Sequence, residues 1–175
     1  MPRGDAYSIR TWLWLPRPRP DVFAFFADAL NLERITPPFL GFKVLTPAPI
    51  PMEAGRLIDY RIRLRGIPLT WRTEISGWDP PSRFVDRQLR GPYREWVHTH
   101  RFTDQDEGTL VEDHVRYRLW GPGPVMGLVH AVLVAPDLAR IFEFRHKALL
   151  DAFDAHALAR LGPVVLGPDS PGHGL

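Results

Sequence analysis

The sequence predicts an α+β domain in which one antiparallel sheet packs against one long C-terminal helix. Three observations carry that expectation. Between Arg56 and Trp120, apolar side chains recur at every second position in a run of segments separated by turn residues. From Pro136 to about Asp154 the apolar period changes to three and four. The chain has 175 residues, which suits one domain.

The elements follow in order. "YSIRTWLWL" (Tyr7 to Leu15) is rich in β-formers and reads as a first strand, which "PRPRP" ends. "DVFAFFADA" starts a short helix behind Pro20, and "NLERITPPF" is a second one that stops before Pro37-Pro38. In "RLIDYRIRLRG", Ile58, Tyr60, Ile62 and Leu64 alternate with Asp59, Arg61, Arg63 and Arg65. That is a half-buried strand with a solvated outer face, on which Asp59 and Glu74 are expected to pair arginines such as Arg72. "LTWRTEISGW", "RFVDRQLR", "REWVHTHRF" and "GTLVEDHVRYRLW" continue a meander. About six to seven strands are expected. Pro136 and Asp137 suit the first turn of the long helix, and "VMGLVHAVLVA" (Val125 to Ala135) reads as a separate helix packed against the sheet. The domain is expected over 1–157. A Gly/Pro-rich tail, 158–175, is expected to be loose.

Composition excludes several classes. There is no cysteine, hence no disulfide, thiolate metal site or Cys nucleophile. Formal net charge is +2, from 22 basic and 20 acidic residues that are interspersed, and no nucleic-acid-reading motif occurs. No signal-peptide layout precedes Tyr7, and Val125–Ala135 is too short to span a bilayer. A cytoplasmic protein with no nucleic-acid partner and no stable membrane insertion is expected. No cofactor or metal is expected, and nothing sets the oligomeric state.

The informative stretch is "REWVHTHRF". Strand alternation puts Trp96, His98, His100 and Phe102 on one face, and the two aromatic residues mark that face as buried. In simple register this strand lies between those carrying Asp86 and Asp113. His98, His100, Asp86, Gln88, Asp113 and Tyr117 then become polar groups in an apolar interior. Asp86 is the least secure of them, because Val85 and Leu89 offer a rival inward face. Three readings follow. The histidines are satisfied buried structure, the polar lining of a pocket, or a metal or catalytic site. Two histidines at i and i+2 plus a carboxylate could hold a metal, and a His–Asp pair could serve as a general base. H-x-H alone is a weak motif. In "NLERITPPFLGF", Glu33 and Arg34 read either as connector packing or as a lid, with Phe39 and Phe42 at a cavity mouth.

"NLERITPPFLGFKVL", "IDYRIRL", "GIPLTWRTEISGWDPPSRFVDRQLRGPY", "WVHTHRF" and "IFEFRHKALL" together resemble the START-like (SRPBCC, polyketide cyclase/dehydrase-like) superfamily, in its bacterial ligand-binding branch. The resemblance runs from about Ser8 to Phe153. It implies a helix-grip fold, with a curved antiparallel sheet around the C-terminal helix and a ligand cavity between them. On that reading the protein binds a small hydrophobic or amphipathic ligand. Tyr60, Ile62, Trp71, Trp96, Phe102, Tyr117, Ile141 and Phe142 form the apolar wall, and His98, His100 and Asp113, with Asp86 and Gln88, the polar part. The alternatives are a cyclase/aromatase-type enzyme using His98, His100 or Asp113, and a non-catalytic regulatory or interaction module. Fold alone does not choose among them.

Overall fold

The computed structural model describes residues 6–169. Strand β1 (Tyr7–Leu15) leads through α1 (Arg19–Phe26) and two 3-10 turns, Ala29–Glu33 and Pro38–Leu40, to the short β2 (Lys43–Val44). A meander follows: β3 (Leu57–Leu64), β4 (Ile67–Asp79), β5 (Arg83–Arg90), β6 (Glu95–Gln105) and β7 (Gly108–Arg118). Next come α2 (Gly123–Val129), a π-helical turn (His130–Val134) and α3 (Ala135–Phe153), and then β8 (Arg160–Leu161) and β9 (Val165–Pro168). All nine strands form one sheet in the order β2-β3-β4-β5-β6-β7-β1-β8, with β9 also on β1. This is the helix-grip architecture.

The meander forms as its alternation predicts. On the solvated face Arg72 makes a two-pronged pair with Asp59 at 2.8 and 2.9 Å, and Arg87 pairs with Glu74. The second short helix is a 3-10 turn over Ala29–Glu33, whose first donors are met by the Asp28 carboxylate accepting from the Leu30 N–H.

Three expectations change. The sheet has nine strands rather than six or seven, because β2, β8 and β9 are too short to show a period. Two of these lie in the tail expected to be loose: β8 pairs with Leu13–Trp14 and β9 with Tyr7–Arg10. Glycine, read as a sign of looseness, here permits close approach. A Cβ on Gly162 would sit 2.3 Å from the Trp12 indole nitrogen, while the Gly162 N–H donates to the Trp12 carbonyl. Residues 170–175 lie outside the described residues.

The third change is the helix, which runs unbroken from Gly123 to Phe153 instead of starting at Pro136. Proline lacks an N–H and crowds the carbonyl four residues back. The wider π turn just before it, where the Ala135 N–H donates to the His130 carbonyl, carries the helix through. This stretch packs on the sheet through His130, whose ring stacks on Tyr7 of β1 at 3.6 Å, while Val125, Leu128, Val132 and Leu133 stay exposed. The joined helix is long and apolar enough to cross a bilayer by length and composition. In this fold, however, α3 is the core helix, burying Leu138, Phe142, Leu149 and Leu150.

The interior divides into three clusters. One joins Leu13, Phe23, Phe26, Phe84, Phe102 and Leu149. A second joins Tyr7, Ile62, Trp71, Tyr93, Tyr117 and Phe142. A smaller third holds Ala29, Val44, Ile58 and Ile75.

Candidate functional site

A partly enclosed cavity of about 170 Å³ takes its lining from all three clusters. That is room for about six waters, at ~30 Å³ each, and so for a small organic molecule or part of a longer one. The sheet supplies Ile58, Tyr60, Ile62, Trp71, Ile75 and Trp96, and α3 supplies Leu138, Ile141, Phe142 and Arg145. The segment after α1 closes one side with Leu32, Ile35, Leu40 and Phe42. Phe42 thus stands at the cavity as the lid reading expected. Phe39 does not: it is exposed, with the Arg140 guanidinium over its ring. Glu33 accepts from the Val44 N–H and Arg34 donates to Asn31, which is connector packing.

One part of the lining is polar. Antiparallel register sets Asp86 of β5 opposite His98 of β6, and His100 opposite Asp113 of β7. Regular pairing of β5 with β6 puts Asp86 on the inward face beside buried Phe84 and leaves Leu89 exposed, against the rival parity. The two imidazoles lie 3.8 Å apart between the carboxylates. His98 Nε2 is 3.0 Å from Asp113 Oδ1, and His98 Nδ1 is 3.8 Å from Asp86 Oδ2. His100 Nε2 is 3.0 Å from Asp86 Oδ2. His100 Nδ1 is 2.8 Å from Asp113 Oδ1, close enough for an ion pair but not aligned as a hydrogen bond. The Nε of Arg145 lies 3.4 Å from the other oxygen of Asp113.

These contacts set the charges. For Asp113, burial favours the neutral acid, but the positive charges of Arg145 and His100 outweigh it and hold the carboxyl well below its usual range. An ionised carboxylate only accepts, so His98 donates from Nε2 and keeps a lone pair on Nδ1. Burial, together with the charge on His100, holds His98 below the ordinary imidazole range. For His100 burial acts the same way, but the charge of Asp113 and its contacts with both carboxylates raise it overall. The two neighbouring imidazoles are therefore pushed in opposite directions, His98 toward the neutral form and His100 toward the charged one. One ligand-capable atom from each of Asp86, His98 and His100 lies within 4.8 Å of the other two.

The predicted residues sort cleanly. Tyr60, Ile62, Trp71, Asp86, Trp96, His98, His100, Ile141 and Phe142 line the cavity. Four do not. Gln88 turns to the β5–β6 hairpin, donating to the Tyr93 carbonyl at 2.7 Å. Phe102 is core, stacked beside Phe84 and edge-on to Phe26. Asp113 stands behind the histidines and is buried. Tyr117 is fully buried, with its hydroxyl 2.7 Å from His130 Nε2, because the lengthened helix brings His130 over it. Arg145 was missed. It lines the cavity, is 8% exposed and carries its charge over the Phe26 ring. The signal was present, since Arg145 falls on the apolar stripe Leu138–Phe142–Leu149.

A curved sheet closed on a helix, with an apolar cavity and a few converging polar groups, defines a small-molecule-binding class of domain. The family model described as "Polyketide cyclase / dehydrase and lipid transport" matches residues 15–142, and the chain belongs to that family. No curated protein matches the chain. Among solved structures it is similar to a nucleoside-diphosphate sugar epimerase from Corynebacterium glutamicum (27% identity, TM-score 0.57, 83% of this chain). This chain spans 29% of that longer protein. It is similar in fold to the ginseng major latex-like protein 151 from Panax ginseng (11% identity, TM-score 0.62, 86% of this chain and 99% of that one). It is likewise similar in fold to the di-domain ARO/CYC StfQ from the steffimycin biosynthetic pathway (13% identity, TM-score 0.59, 86% of this chain and 53% of that one).

Proposed function

We propose that this is a cytoplasmic protein that binds a small amphipathic molecule in the sheet–helix cavity. The observation that carries the reading is the division of the lining. An apolar body lies along Ile58, Ile62, Trp71 and Phe142, and the polar end meets Asp86, His98 and His100. Apolar area supplies affinity, and a few fixed polar groups orient the ligand. The family match supports the reading at the level of lipid transport or cyclase chemistry. The test is native mass spectrometry of the freshly purified chain, followed by melting scans with fatty acids and polycyclic phenols. A co-purified molecule, or a rise in melting temperature that Phe142→Ala abolishes, is the expected result. No adduct and no shift across both libraries would remove the reading.

A second reading has a specific observation in its favour. His98 is neutral, oriented by Asp113 through Nε2 and left with a lone pair on Nδ1 at the cavity. That is the arrangement of a general base. His98 would take a proton from a carbon acid onto Nδ1, and Asp113 would hold the imidazolium. Deuterium uptake by a bound 1,3-dicarbonyl probe, lost in His98→Gln, is the measurement that would favour it over simple binding.

A further inference from the structure

We propose that Asp86, His98 and His100 form a site for one divalent first-row metal ion, with Asp113 as the carboxylate that positions both imidazoles. This departs from the expectation of no metal drawn from the sequence, where H-x-H stood alone. It also does not depend on which organic molecule enters the cavity.

The inner ligands come first. Asp86 Oδ2 is 3.0 Å from His100 Nε2 and 3.8 Å from His98 Nδ1. Two donors on a tetrahedral ion, each at ~2.0–2.1 Å, stand about 3.3 Å apart. The two observed separations bracket that value. One ligand atom from each of the three residues falls within 4.8 Å of the other two. Among the described residues no other three such side chains bring ligand atoms within 4.8 Å of one another.

The outer partners fit as well. A metal-binding imidazole characteristically turns its second nitrogen to a carboxylate, which fixes the tautomer. Here Asp113 Oδ1 accepts from His98 Nε2 at 3.0 Å and lies 2.8 Å from His100 Nδ1 as an ion-pair contact. The nitrogens left over are the two that face Asp86. Arg145 stands against the other Asp113 oxygen at 3.4 Å and offsets its charge. All the donors ride on adjacent strands rather than loops, so their spacing is held by the ladder.

The donor set selects the ion. Two imidazoles and one carboxylate, with no thiolate, suit Zn²⁺, Co²⁺, Fe²⁺ or Mn²⁺. Three protein donors leave further positions open, and all three side chains line the cavity. A water or a ligand oxygen would complete the coordination where the polar end of an amphipathic molecule lies.

The test uses the full chain without a histidine tag, stripped by chelator dialysis and titrated with Co²⁺ and then Zn²⁺, with no organic ligand present. One equivalent of Co²⁺ should bind and give a visible absorption band that Zn²⁺ displaces. Asp86→Asn and His98→Gln should abolish the band. Asp113→Asn should weaken binding about 10–100-fold, as loss of an outer partner does. His156→Ala, at an exposed histidine paired with Asp151, should change nothing. Circular dichroism confirms that each variant is folded, and should Asp86→Asn fail to fold, the wild-type titration decides alone. No band at a large molar excess of Co²⁺, or equal binding in folded Asp86→Asn and His98→Gln, would overturn the site. Either failure leaves the ligand reading of the cavity standing, and a failed ligand screen leaves this one standing.

Discussion

The cavity has two walls that meet on β6, and they bury their side chains by opposite means. Around Trp96 the contacts are ring on ring: Trp71 lies 5.5 Å away, edge to face, and Tyr93 4.8 Å away. Four positions along the strand, His100 and its neighbour His98 are held by charge, through Asp113 and Asp86. Dispersion and apolar burial are sums of many small terms, so the aromatic wall should lose stability by degrees. The charged wall depends on a hub. Asp113 is in contact with both histidines and Arg145, so its loss strands several buried groups at once.

The sharpest break of that comparison is Asp113→Ala. Removing one partner of a buried charged network costs about 3–5 kcal/mol. We expect urea unfolding to show a loss of that order. A loss below that of Trp71→Ala would mean that the charges are not interdependent. Trp71→Ala itself should cost about 2–3 kcal/mol, near or below the low end for a buried tryptophan, because one face of the ring already borders the cavity. It should also weaken ligand binding.

Protonation separates the two histidines from each other. His98 is held below its unfolded value of 6.5, chiefly by burial. Its contribution is therefore complete above pH 6.5 and is lost as pH falls from there through the folded-state value. His100 is held above 6.5, so its contribution is complete below that pH and is lost as pH rises through the folded-state value. His98→Gln should flatten the acid side of the stability curve, and His100→Gln the alkaline side. Each slope is at most about 1.4 kcal/mol per pH unit. Both variants flattening the same side would show that the assignment of charge is wrong. The smallest effect is expected at Gln88→Ala, which removes a tie across the hairpin and should cost about 1 kcal/mol without altering the cavity.

The architecture and the histidine face were legible because strand parity is local. Once Trp96 and Phe102 face inward, His98 and His100 must do so too, whatever the turns do. Asp86 was less secure, since β5 offers two faces of similar apolar content, Phe84 on one and Val85 with Leu89 on the other, and only its pairing with β6 decides between them. The roles of Tyr117 and Phe102 were misjudged for another reason. Facing inward is not the same as facing the cavity, and Tyr117 is claimed by His130 only once the helix extends back past Pro136. Arg145 lay in view on an apolar stripe, yet a cation there reads as an outward residue unless a buried carboxylate is known to face it. Strands β8 and β9 were invisible because two and four residues are too few to show a period.

Those last strands have a consequence for how the gene could be handled. β1 is clasped by β7 on one side and by β8 and β9 on the other, and the Asp169 N–H donates to the Ala6 carbonyl at 2.8 Å. The chain therefore leaves the fold at the point where it arrives. A short linker between these two positions, with a cut opened at the exposed Arg65-Gly66 turn of the β3–β4 hairpin, would give a circular permutant with every ladder intact. By the same geometry the whole unit could be spliced as a cassette into a surface loop of another protein, both seams lying side by side.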